Sequence, residues 1–82
     1  MTNVVLEVNN SSIYVTAFFD EDRKEIISKE YSRHSTDLEN WLSELPRPVH
    51  AVIEPGPHYK DTLKRLKNLF DKIGKARPGH FT

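Results

Sequence analysis

Val49-His-Ala-Val-Ile-Glu54-Pro-Gly-Pro-His-Tyr59 is a short apolar run that ends on a carboxylate and passes straight into a Pro-Gly-Pro turn. Residues 60–72 then carry apolar side chains at helical spacing. A β-branched run closed by a Pro/Gly turn and followed by a helical period predicts a strand–turn–helix unit. In open α/β sheets, ligands and chemistry gather outside the carboxyl ends of such strands. The stretch therefore predicts an α/β fold with Glu54 where an active site would be built.

Upstream, Val4-Val-Leu-Glu-Val8 is a near-continuous apolar run with one acid inside it, the pattern of a strand buried on both faces. Asn9-Asn-Ser-Ser12 supplies turn chemistry, because Asn and Ser side chains bond to nearby backbone. Ile13-Tyr-Val-Thr-Ala-Phe-Phe19 gives a second strand at hairpin spacing. After the polar turn Asp20-Glu-Asp-Arg23, residues 24–31 predict a third strand whose charges suit a sheet edge.

The period then changes. Thr36-x-x-Glu39 fits a capping box. Leu38, Trp41, Leu42 and Leu45 follow at i, i+3, i+4 and i+7, one face of a helix that Pro46 and Pro48 end. After the strand through Glu54, Gly56 is the expected N-cap and Pro57 the first residue of a second helix. That helix would bury Tyr59, Leu63, Leu66, Phe70 and Ile73 and stop at Gly74. A fifth strand would start at Lys75-Ala-Arg77. The order is β-β-β-α-β-α-(β), and a helical crossover over one face lets strand 4 lie parallel to strand 1. Glu7 and Glu54 would then stand side by side.

At 82 residues the chain is one domain with one small core. It has no cysteine, so no disulfide framework and no thiolate zinc site. No segment reads as a signal peptide and no apolar run approaches the ~20 residues of a membrane span, so a cytoplasmic protein with no membrane partner is expected. The formal charge is zero but unevenly placed. Residues 1–57 carry 5 basic and 10 acidic side chains, and residues 58–82 carry 7 basic and 2 acidic. This asymmetry marks either a polyanion-facing end or a solvated helix face with a basic tail.

Two converging carboxylates repel each other and favour a hard divalent cation. With two ions, such a site can activate water and stabilise the leaving oxygen in phosphodiester cleavage. Glu7 and Glu54 are thus candidate catalytic acids and candidate ligands for Mg²⁺. Equally, Glu7 fits a strand residue pointing to solvent, and Glu54 a cap on the turn it precedes. His34, His50 and His80 are isolated, while His58 follows Glu54 at a helix start, as an exposed residue or a phosphate contact. Core packing accounts for Trp41 and Tyr59. No Gly-rich phosphate loop, Ser-His-Asp arrangement or zinc spacing is present.

Taken together, these segments resemble the N-terminal half of the RNase H-like catalytic domain of DEDD-type insertion-sequence transposases, a domain akin to Holliday-junction resolvases. The first strand with its acid matches Val4-Val-Leu-Glu-Val-Asn-Asn10, and the apolar-faced helix matches Leu38-Glu-Asn-Trp-Leu-Ser-Glu-Leu45. The strand ending in Glu, with an aromatic opening a Leu-rich helix, matches Ile53-Glu-Pro-Gly-Pro-His-Tyr59 with Leu63, Leu66 and Leu69; Lys75-Ala-Arg-Pro78 matches a following short strand. The resemblance implies a mixed sheet in order 3-2-1-4-(5), a single truncated RNase H-like domain over residues 1–82, and a family activity in transposition and DNA recombination with magnesium. The chain departs from the family in three ways. Glu7 stands where the family has Asp, Pro-Gly-Pro replaces its small polar turn, and the third and fourth acids lie downstream of these residues.

Three functions are compatible with this reading. The first is a truncated or degenerate relative of such a transposase, without nuclease activity of its own, binding DNA or RNA backbone through Lys60, Lys64, Lys67, Lys72, Lys75 and Arg77. The second is a metal-dependent nuclease subunit with Glu7 and Glu54 as ligands and further acids from another chain, a homodimer included. The third is a protein–protein module that uses the third strand for strand addition.

Overall fold

The computed structural model describes residues 1–19 and 26–75. They form a five-stranded mixed sheet, order β3-β2-β1-β4-β5, with two short helices. The strands are β1 (Thr2–Val8), β2 (Ser12–Phe19), β3 (Ile26–Ser32), β4 (Val49–Glu54) and β5 (Lys72–Lys75); the helices are α1 (Asp37–Ser43) and α2 (Tyr59–Leu66). Strands β1 to β3 form an antiparallel meander, and β4 lies parallel to β1 at the centre of the sheet. β5 adds in parallel to the outside of β4. This is the RNase H-like strand order.

One face of the sheet makes the core. Val4, Leu6 and Val8 of β1, Ile13, Val15 and Ala17 of β2, and Val49, Ala51 and Ile53 of β4 are buried in one cluster with Leu38, Leu42, Leu45, Leu66 and Phe70. Both helices therefore cover the same face. Each fully buried Leu or Ile contributes about 1.5–3 kcal/mol of transfer free energy, so this face supplies most of the stabilisation. The opposite face presents Asn3, Val5 and Glu7 of β1, Tyr14, Thr16 and Phe18 of β2, and His50, Val52 and Glu54 of β4, all of them half-buried or exposed. β1 is thus buried on one face and not on both: its buried residues alternate with Val5, which is half-covered, and Glu7, which is exposed.

Thr2 stitches the entry of the sheet. Its N–H donates to the Pro48 carbonyl at 3.0 Å and its hydroxyl to the Pro46 carbonyl at 2.7 Å, which satisfies a wholly buried side chain. At the far side, Asp71 ties β5 to β4. Its Oδ2 accepts the Val49 N–H at 2.6 Å, and its own N–H donates to the Val49 carbonyl at 2.9 Å.

The helices are shorter than their periodicity predicts. Thr36 precedes α1 as expected, yet its side chain makes no cap, and the Asp37 N–H donates instead to the Ser35 hydroxyl at 3.1 Å. The capping box does not close because Glu39 is engaged elsewhere, by Arg65. α2 starts at Tyr59 after His58, so Gly56 and Pro57 lie in the turn rather than as cap and first helical residue. It ends at Leu66, tightens into the 3₁₀ turn Lys67–Leu69, and the chain then enters β5. Phe70 and Ile73 do reach the core, but from beyond the helix, and Gly74 lies within a strand rather than stopping a helix. The fifth strand accordingly begins three residues earlier than the sequence suggests; the turn at 20–23 and Ala76 to Arg77 lie outside the described residues. No helix of the described residues is long and apolar enough to cross a membrane.

Candidate functional site

Glu7 and Glu54 are direct register partners across the parallel β1–β4 pair, near the carboxyl end of each strand. Strands in a sheet are ~4.8 Å apart, so both carboxylates rise from the same open face within reach of a single cation. Glu7 is exposed and Glu54 half-buried. Alternation puts them there: Leu6 and Ile53, one residue earlier on each strand, are wholly buried on the helix side.

The row continues across the sheet. Tyr14 pairs with Glu7 on one side and with Glu30 of β3 on the other, so Glu30, Tyr14, Glu7 and Glu54 lie in one line over four strands. Glu30 accepts a hydrogen bond from the Ser12 hydroxyl at 3.1 Å. The turn after β4 closes over the end of β1, where a Cβ at Gly56 would stand 3.4 Å from the Val8 carbonyl oxygen. His58, with φ of 65°, occupies the left-handed region, and its carbonyl accepts the Thr62 N–H at 3.1 Å. Pro57 fixes the backbone just before it, so the reversal into α2 is made at His58 itself. His58 is exposed, as is His34; His50 is half-buried on the open face, and His80 lies outside the described residues.

As a metal centre the acids are an incomplete donor set. Mg²⁺ attaches to proteins through one or two carboxylates, keeping several waters, and Glu7 with Glu54 fits that minimum. Two-ion phosphodiester chemistry needs more. Among the described residues no group of three or more His, Asp or Glu is placed to hold a metal ion.

The basic residues divide between two surfaces. Lys60 and Lys64 of α2 and Lys67 of the 3₁₀ turn follow at i, i+4 and i+7, are all exposed, and form a ridge on the outer side of the helix layer. Lys72 is exposed on β5 in register with His50, on the open sheet face, because its neighbour Ile73 packs into the core. The side chain of Lys75 and all of Arg77 fall outside the description.

A cation that composition alone does not single out is Arg65. Its Nε donates to Glu39 Oε2 at 2.9 Å and its Nη1 to the Arg33 carbonyl at 2.6 Å; its Nη2 bonds both Glu39 Oε1 and the Ser35 carbonyl. The Arg65 hydrogen bonds hold the Glu39 carboxyl below the usual carboxylate range. Arg65 is thus an internal clamp and is not available to a polyanion. The signal in the sequence was its offset from the Lys60, Lys64, Lys67 stripe.

Trp41 is half-buried against the core and tilted over Tyr31, ring centroids 6.3 Å apart, with Lys29 Nζ 5.1 Å from its ring centre. Tyr59 also packs on the core. Both aromatics serve packing, as their helical spacing predicts. No protein-family model matches the chain, and no curated protein matches it.

Proposed function

We propose that the chain is an RNase H-like nucleic-acid-contacting module, related to the catalytic domains of DEDD-type transposases and without nuclease activity of its own. The observation that carries the binding role is the exposed ridge of Lys60, Lys64 and Lys67, and the register pairing of Glu7 with Glu54 at the carboxyl ends of the two central parallel strands supports the kinship. Acids at that point of a sheet with this strand order would suit phosphodiester chemistry, and Glu7 and Glu54 would be half of the four-acid set that the transposase resemblance implies. The Lys60, Lys64 and Lys67 ridge supports backbone binding, which is sequence-tolerant because phosphate contacts carry no base information. A cytoplasmic setting fits such a role.

The test is to incubate the protein with duplex, single-stranded and branched DNA, with and without Mg²⁺ or Mn²⁺, and to follow binding and cleavage together. Binding without cleavage is expected. Cleavage that disappears in Glu54→Gln would establish the second reading, a metal-dependent nuclease subunit, which the same Glu7–Glu54 pair favours. Absence of binding to every substrate at low salt would overturn the proposal.

A further inference from the structure

Among the described residues, no helix lies over the sheet face that carries Glu7 and Glu54. Its central row is apolar, with Val5 and Val52 in register beside Thr16. Tyr14 and Phe18 flank that row on β2, and Tyr14 is 42% exposed. Charge is polarised along the strands. At one end lie Glu30, Glu7 and Glu54; at the other lie His50 and Lys72, register neighbours on β4 and β5. Asp71 precedes Lys72, but its carboxylate already accepts the Val49 N–H and pairs with Arg47 at 3.2 Å.

We propose that this face binds a second copy of the same chain, sheet on sheet, about a two-fold axis that runs across the strands. Stacking a sheet on its own copy allows two simple two-fold arrangements. An axis along the strands would set acidic row against acidic row. An axis across the strands, through the Val5–Val52 row, reverses the strand direction and sets each acidic end on the other copy's basic end. Glu54 then faces His50 and Lys72 of the second copy, Tyr14 faces Phe18, and Val52 faces Val52. Every contact off the axis occurs twice, as an isologous interface requires. Only at the β3 rim is the match poor, where Ile26 would meet Glu30; sheets packed at about −30° diverge at such corners.

The patch over β2, β1, β4 and β5 measures roughly 400 Å² per copy from ordinary strand spacing and rise. That is about half of a standard interface side, so the dimer is weak, with a dissociation constant in the micromolar range or above. The interface covers Glu7 and Glu54, which makes self-association and metal or substrate access to the acids mutually exclusive. This inference is independent of the proposed nucleic-acid role, whose lysine ridge lies on the other side of the molecule.

Sedimentation velocity over a concentration series up to millimolar protein tests it, alongside concentration-dependent amide spectra. A monomer–dimer equilibrium is expected, with amide shifts at Val5, Thr16, Phe18 and Val52. Glu54→Lys and His50→Glu should each weaken the dimer by about tenfold or more through two like-charge contacts, and the double variant should recover most of that loss. Both positions are only partly buried, and retained amide dispersion verifies folding. A monomer at every concentration would overturn the proposal. So would a dimer indifferent to both charge changes, which would place the contact elsewhere, such as the β3 edge.

Discussion

Arg65 of α2 grips Glu39 of α1 through two nitrogens, and the same guanidinium caps the carbonyls of Arg33 and Ser35 at the entry to α1. One side chain thus fixes the second helix against the first and against the loop leaving β3. Hydrogen bonds to charged groups contribute about 1.5–3 kcal/mol each when a partner is removed, and here they share one donor group. Arg65→Met, which keeps the aliphatic stem, should cost about 2–3 kcal/mol in chemical denaturation. A loss under about 0.5 kcal/mol would show that the clamp is ornamental.

The same pair gives the protein an acid dependence. Arg65 hydrogen bonding lowers the Glu39 carboxyl in the folded state. A depressed folded value means stability that is present above the unfolded carboxylate value near ~4.3 and is lost as pH falls through the folded one. The stability gap between wild type and Glu39→Gln should therefore be widest near neutrality and shrink below about pH 4. Parallel stability curves across that window would contradict the assignment.

Asp71 plays the corresponding role at the other end of the sheet. Its carboxyl is lowered first by the Val49 N–H and then by Arg47, again a stabilisation kept above the ordinary carboxylate range and lost in acid. Asp71→Asn should fray β5 without unfolding the meander. Hydrogen exchange is the measure: protection should fall at Val49 and along β5, while β1 and β2 amides keep theirs.

His58 holds a left-handed backbone at φ 65° in a turn between β4 and α2. Left-handed conformation costs a residue with a Cβ roughly 1 kcal/mol, and glycine adopts it freely. His58→Gly should raise stability by about 0.5–1 kcal/mol, less what glycine adds to unfolded-chain entropy. Thermal melts would check this. A destabilised variant would mean that the imidazole makes a contact worth more than the strain.

Much of the architecture was legible because the relevant signals are local. Alternation in residues 49–54, the apolar meander before them and the Leu38, Trp41, Leu42, Leu45 stripe place the strands and α1 correctly, and the crossover rule puts β4 beside β1. Most of the errors arise where a tertiary contact overrules a local pattern. Glu39 abandons the capping box for Arg65, a partner 26 residues away. Phe70 and Ile73 continue the apolar period of α2, but the core receives them from an extended segment, since Asp71 is pinned to Val49. Val5 looks like a core residue, yet no helix among the described residues reaches its face. For the site, the Glu7–Glu54 pairing follows from topology and was readable. The division of the lysines between helix ridge and sheet face depends on where α2 ends, which periodicity alone misplaces.

The central claim is that the Lys60, Lys64 and Lys67 ridge holds nucleic-acid backbone. The most direct measurement is the salt dependence of binding to a fluorescent duplex, for wild type and for the triple Lys→Ala variant. Each neutralised phosphate contributes about −0.9 to the slope of log K against log salt, so removing three contacts should flatten the slope by about 2.7 and weaken binding to every sequence alike. Identical slopes for the two proteins, or no binding by wild type at low salt, would contradict the account.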